Sequence, residues 1–216
     1  MSSSKQAKSI EEFYPLTSER WPDLVALFEH HGYPGSCWYM WWRLRSADYN
    51  QLTSAERKSA LKSLVTRSTS LGILGFRDGE PVGWCSIAPR ETYPRLELST
   101  TLKRLDTLPV WSVVCFYVHP QARGQGFMLQ LLQGAVAYAR LQGARIIEGY
   151  PVELHRDEAG KWQGVGLSGW YMGSVATFQQ AGFREAGFTE QGRRIMRWTV
   201  GHDRRQTSAR TKKRSK

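Results

Sequence analysis

The chain has 216 residues, 41% hydrophobic and 23% charged, a globular composition with enough interior for one domain and a sizeable core. Its three widely spaced cysteines, Cys37, Cys85 and Cys115, do not form a disulfide framework and fit a reducing cytoplasm, and no uncharged apolar run is long enough to span a bilayer. The formal net charge of +11 is uneven: residues 201–216 hold seven basic residues and one acid, leaving the remainder only modestly basic.

Residues 1–10 read as a flexible start with no apolar signal core, 11–200 as a single domain, and 201–216 as a basic disordered tail with little to bury. Pro22–His30 is predicted as a short helix, since Leu24, Leu27 and Phe28 share a face and Pro22 suits a first turn. His31 to Gly35 stops it, and a dense aromatic patch follows, Cys37-Trp38-Tyr39-Met40-Trp41-Trp42. Thr53 and Glu56 have the spacing of a capping box for a helix to about Thr66. Leu71–Phe76 and Pro81–Ile87 are predicted strands joined at Asp78-Gly79, a strong hairpin signal. Pro89–Pro109 is irregular, and a connection of that length is expected to contain a short helix or a functional loop.

Trp111–Val118 is apolar or small at nearly every position, as in a central strand buried on both faces. A glycine turn, Arg123-Gly124-Gln125-Gly126, leads into a predicted helix from about Phe127 to Leu141, whose buried face carries Met128, Leu131, Leu132, Ala135, Val136 and Ala139. Arg145–Gly149 is the next strand, which completes a parallel crossover unit. Pro151–Ser168 reads as a loop and Ser174–Ala181 as a short helix stopped by Gly182. Phe183–Phe188 and Arg193–Val200 are expected to pair as a hairpin.

The glycine turn between the strongest strand and the strongest helix has two readings. It is an ordinary connection, or it is a phosphate site, because the first amides of a helix lack internal partners and point outward at the positive end of the dipole. It lacks the third glycine and the acidic residue of a dinucleotide fingerprint, and the Gly-Lys-Ser/Thr of a nucleotide triphosphate loop.

This turn resembles the coenzyme A motif of the GCN5-related N-acetyltransferase superfamily, with Arg123, Gly126 and Met128 at its defining positions and Gly124 within it. Met128 departs from the small residue usual there. Ala181-Gly182-Phe183-Arg184-Glu185 looks like the end of the family's last helix and the strand after it, and the similarity runs from about Leu71 to Thr199. The resemblance implies an α/β fold: a mixed, mostly antiparallel sheet flanked by helices, with one parallel strand pair splayed apart to take the pantetheine arm. By position the splay is expected between Phe116–Val118 and Ile146–Gly149.

The resemblance also implies direct transfer of an acetyl group from acetyl-coenzyme A to an amine acceptor that the sequence does not identify. Phe116, Tyr117, Val118, Arg123, Gly124, Gln125, Gly126, Phe127, Met128 and Phe178 are the expected donor-binding positions, and a backbone amide near Tyr117 or Val118 is expected to polarise the thioester. Glu148, at the end of an apolar strand, is either the base or the partner of a nearby arginine. Phe178 stands where the family often has a proton-donating tyrosine, so Tyr171 or Tyr150 is expected to substitute. Trp38, Tyr39, Trp41 and Trp42 with Arg43 and Arg45 either line the acceptor cleft, for an aromatic or acidic acceptor, or pack a core. No metal site is expected: His30, His31 and Cys37 lack a fourth ligand. Two other classes stay open, a noncatalytic acyl-coenzyme A sensor and weak nucleic-acid association through the basic tail.

Overall fold

The computed structural model describes residues 11–29, 36–67, 71–156, 162–165 and 171–201. The expected flexible start and nearly all of the basic tail lie outside these residues, as do His30 and His31. Strands β1 (Glu11–Pro15), β2 (Ile73–Arg77), β3 (Glu80–Pro89), β4 (Trp111–Val118), β5 (Ile146–Gly149), β8 (Arg184–Phe188) and β9 (Arg194–Thr199) form one seven-stranded sheet in the order β1-β2-β3-β4-β5-β9-β8. Only β4 and β5 run parallel. Strands β6 (Glu153–Arg156) and β7 (Trp162–Val165) form a separate antiparallel hairpin within the segment expected to be a loop. Short polar strands of this kind carry no apolar alternation to reveal them. Strand β1 is a second element without a prediction.

Local chemistry accounts for most of the elements. Asp78 and Gly79 both have positive φ, 51° and 84°, the backbone of a tight turn between β2 and β3. The capping box forms before helix α3 (Ser54–Arg67): the Thr53 amide donates to Glu56 Oε2 at 2.7 Å, and the Glu56 amide to Thr53 Oγ1 at 3.3 Å. The expected early helix is α1 (Trp21–Glu29), and a short α2 (Ser46–Gln51) precedes α3. The Pro89–Pro109 connection holds a 3₁₀ turn, Arg90–Thr92, and a one-turn helix α4 (Pro94–Glu97).

The long helix α5 (Phe127–Leu141) covers one face of the sheet. Its Leu131, Leu132, Ala135 and Ala139 pack against Cys85, Ile87, Val113 and Phe116. On the other face α1 and α3 bring Leu24, Phe28 and Leu61 against Leu74, Trp84 and Tyr117. This double coverage explains why β4 reads as an unbroken apolar run. Among the described residues no helix is long and apolar enough to cross a membrane.

The aromatic patch joins the second core. Trp38 and Tyr39 are buried around Phe28, with ring centroids 5.6 and 4.8 Å away. Both have positive φ, 45° and 54°, which is strained for bulky side chains and persists where packing over-determines it.

Candidate active site

The candidate site begins with a fault in β4. Its register against β3 shifts between Ser86 and Ile87, which leaves one extra residue on β4. Val113 and Phe116 face the α5 core, whereas the successive residues Val114 and Cys115 both pack on the opposite side. That is the signature of a β-bulge, which bends a strand and increases its twist. Parallel pairing with β5 ends at the same place, with Trp111, Ser112 and Val113 opposite Ile147, Glu148 and Gly149. Beyond Val113 the side of β4 turned away from β3 has no strand partner among the described residues. Ile146–Gly149 were expected on the splayed side, but Ile147–Gly149 are paired with β4, and the gap opens after Gly149.

At the far end of this free edge lies the glycine turn. Gly126 is the N-cap of α5 in left-handed conformation (φ 78°, ψ 0°), without a side-chain cap. Among the described residues the amides from Gly124 to Met128 have no hydrogen-bond partner. A Cβ built on Gly124 or Gly126 meets nothing within 4 Å, so the approach to these amides is open. An open cavity of about 210 Å³ lies there, lined by Val118, Arg123, Gly124, Gly126 and Met128, with Thr177 opposite. Helix α6 (Val175–Gln180) carries Thr177 and is capped by Ser174, whose Oγ accepts from the Thr177 amide.

The other expected donor-binding residues differ in kind. Arg123 holds the turn: its Nε donates to the Val118 carbonyl at 2.8 Å. The Gln125 side chain bridges Arg77 and the Gln121 carbonyl. Phe127 is buried in the α5 core and also lines the cavity. Phe116, Tyr117 and Phe178 are buried too. Phe178 fills the start of the gap between β4 and β5, edge-on to Phe116 at 6.1 Å and to Phe183 at 4.8 Å.

Glu148 sits at the closed end, 1% exposed. Its Oε1 accepts from the Tyr150 hydroxyl at 2.6 Å and Arg90 Nη1 at 3.1 Å, and its Oε2 from Arg197 Nε at 2.7 Å. Arg90, equally buried, also donates to Glu97 and to the carbonyls of Leu96 and Leu102. Arg197 reaches on to Asp106 and holds its carboxyl below the ordinary range. The network ties the 98–110 connection to the sheet. Sequence reasoning missed Arg90 and Arg197. Arg90 lies in a stretch without periodicity and Arg197 looks like an outward position of an edge hairpin, so neither carried a local signal.

Tyr171 is half-buried beside the cluster that contains Val114, Tyr150 and Met172. Arg95 and Arg193 lie within electrostatic reach of it. The aromatic patch divides: Trp38, Tyr39 and Trp42 are core, whereas Trp41 is 40% exposed. Arg43 is buried and donates to the Leu71 carbonyl and the Tyr93 hydroxyl, so it is not available to a ligand. Arg45 remains exposed. Among the described residues no group of three or more potential metal ligands converges.

A sequence profile of the acetyltransferase (GNAT) family matches residues 36–159. No curated protein matches the sequence significantly. Solved structures share the fold at low identity. The aminoglycoside acetyltransferase AAC(6')-Ib in complex with coenzyme A is 16% identical, with a TM-score of 0.52 over 92% of this chain and 99% of its own. An uncharacterised protein from Bacillus halodurans is 13% identical, with a TM-score of 0.53 over 93% of this chain and 89% of its own. A putative acetyltransferase from Acinetobacter baylyi ADP1 is 13% identical, with a TM-score of 0.51 over 90% of this chain and 94% of its own. The bulged central strand, the parallel pair and the glycine turn thus coincide with a family match over more than half the chain, which belongs to the acetyltransferase (GNAT) family.

Proposed function

We propose that the chain transfers an acetyl group from acetyl-coenzyme A directly to the amine of an acceptor. The observation that carries this reading is the continuity of two open backbone rows: the freed edge of β4 beyond Val113, and the unpartnered amides of Gly124 to Met128. The second row supports pyrophosphate binding, because it combines outward N–H groups with the positive end of a 15-residue helix. The first supports a pantetheine arm pairing along β4, with a backbone amide near Tyr117 or Val118 polarising the thioester carbonyl.

In the transfer, the neutral amine nitrogen bonds to the carbonyl carbon, the carbon–sulfur bond breaks, and the amine proton passes to water. Phe178 has no proton for the departing thiolate. Tyr171 is assigned that role because its cluster includes Val114, at the bulge. The donors converging on Glu148 support an anchoring role for it rather than proton abstraction, since it is fully buried and committed to Tyr150, Arg90 and Arg197. The free cysteines support a reducing, cytoplasmic setting.

The test is incubation of purified protein with isotopically labelled acetyl-coenzyme A and an amine panel, read by mass spectrometry of the acetylated product. Tyr171→Phe is expected to lower kcat about 100-fold with coenzyme A affinity unchanged. Binding of coenzyme A without any acetylated amine, across the panel and a whole-cell metabolite extract, would favour the noncatalytic reading instead.

A further inference from the structure

A second pocket, of about 290 Å³, opens on the α2 and α4 side of the sheet and is lined by Trp41, Trp42, Arg45, Arg95 and Thr100 among others. Its chemistry is one-sided. Two guanidinium groups line it and no acidic residue does. Glu97, the acid nearest in sequence to Arg95, is committed to Arg90 and Arg104. Among the described residues neither the Arg45 nor the Arg95 guanidinium has a carboxylate partner.

Arg95 is held in place without being satisfied. Its guanidinium stacks 3.7 Å from the Trp41 ring centroid, and its Nε makes a long 3.4 Å contact with the Leu44 carbonyl. Its Nη2 is buried with no hydrogen-bond partner. Trp42, 9% exposed, likewise buries its indole Nε1 without a partner. Buried donors left unpaired are costly, and both belong to residues that line this pocket. A guanidinium fixed by stacking is pre-organised to present its fork to a planar anion.

The pocket and the proposed site are linked through one apolar cluster. Trp42 packs in the cluster that holds Val114 and Cys115 at the bulge of β4, with Tyr171 at its margin. Arg95 lies within electrostatic reach of Tyr171.

We propose that this pocket receives the carboxylate of the acceptor, between Arg45 and Arg95, so that the substrates are amines carrying a carboxylate away from the reacting nitrogen. The assignment rests on the acetyl-transfer reading for calling the ligand an acceptor. The exposed face of Trp41 adds a flat apolar wall for the body of such a molecule.

The test is calorimetric titration of the full chain, with and without coenzyme A, using matched pairs: β-alanine and β-alaninamide, 4-aminobutyrate and 4-aminobutyramide, 4-(aminomethyl)benzoate and 4-(aminomethyl)benzamide. The carboxylate member of at least one pair is expected to bind about tenfold more tightly than its amide. Arg95→Gln and Arg45→Gln are each expected to shrink that preference to about twofold, and Arg95→Lys, which keeps the charge and loses the fork, to leave an intermediate value. Thermal unfolding and coenzyme A affinity of each variant report whether it is folded. No carboxylate preference, no binding of any member up to about 10 mM, or a preference that survives in folded Arg45 and Arg95 variants overturns the assignment. Because the titration involves no acetyl transfer, the two readings fail separately. A carboxylate preference without turnover would remove the transferase reading and leave the anion pocket. Turnover of amines and their carboxylate counterparts at equal kcat/KM would do the reverse.

Discussion

Phe178 occupies the space that a side chain on Gly149 would need: a methyl built on Gly149 lies 2.1 Å from Phe178 Cε1. Gly149 is the last β5 residue paired with β4, so the ring sits where the two strands part. Phe116 and Phe183 hold it from two further sides. The wedge therefore depends on the absence of one carbon.

Gly149→Ala is expected to destabilise the fold by about 1–3 kcal/mol, the usual range for overpacking a tight core. Adding Phe178→Leu should return part of that loss, because the two positions share one space and their effects are not additive. Urea unfolding of the two single variants and the double variant measures the coupling. Additive losses would mean that the ring moves aside freely.

Glu148→Ala is expected to cost about 3 kcal/mol, because it removes the buried carboxylate 3.1 Å from Arg90, which keeps only its more exposed Glu97 partner, and leaves Arg197 with Asp106 alone. The base and anchor roles separate in kinetics. An anchor predicts that Glu148→Gln lowers the folded fraction while the acid limb of the kcat/KM profile keeps its position. A base predicts that the acid limb disappears. Chemical denaturation together with a pH–rate profile distinguishes the two.

At Gly126 the backbone and the cavity make different demands, and two substitutions separate them. The φ of 78° lies in the left-handed region, so any side chain there costs about 1–2 kcal/mol. A Cβ meets no neighbour, so no steric term is added for the fold itself. Gly126→Ala and Gly126→Trp should therefore lose similar stability. Only the tryptophan should lose coenzyme A affinity, by about 100-fold or more, since its ring lies across the helix amides. Calorimetry beside thermal unfolding tests this. Tight binding by folded Gly126→Trp would place the pyrophosphate elsewhere.

What was legible in the sequence divides along the range of the interactions. The capping box of Thr53 and Glu56, the Asp78-Gly79 turn and the α5 stripe are local patterns, and each appears where the residues place it. The glycine turn was legible as a helix start with open amides for the same reason. The bulge at Val114 was not, because a register shift is a relation between β3 and β4 that neither strand carries alone. Glu148 stood out in the sequence as a carboxylate on an apolar strand, and the fold buries it between two arginines. Its arginine partners lie 58 and 49 residues away, too far for spacing to reveal. The aromatic patch misled in one respect. Arg43 looked like Arg45, and only the tertiary fold turns one inward and the other to solvent.

Tyr93 supplies a stability test at alkaline pH. It is fully buried, with its hydroxyl 3.1 Å from Ser86 Oγ and 3.3 Å from Arg43 Nη2. Burial pushes its pKa from the ordinary 10.0 up to about 12, against the opposing pull of Arg43. The unfolded chain therefore releases this proton first as pH rises. Its contribution is complete below the unfolded value of 10.0 and is lost as pH climbs through about 12. Across that window the protein should lose about 1.4 kcal/mol per pH unit from this one group. Tyr93→Phe removes the titrating hydroxyl and its two hydrogen bonds, so the variant starts less stable but should decline less steeply. Tyr49, Tyr117 and Tyr150 are also raised by burial and remain in both proteins, so the difference in slope isolates Tyr93. Urea unfolding at several pH values across the window gives the two slopes, and equal slopes would mean that Tyr93 ionises without leaving the core.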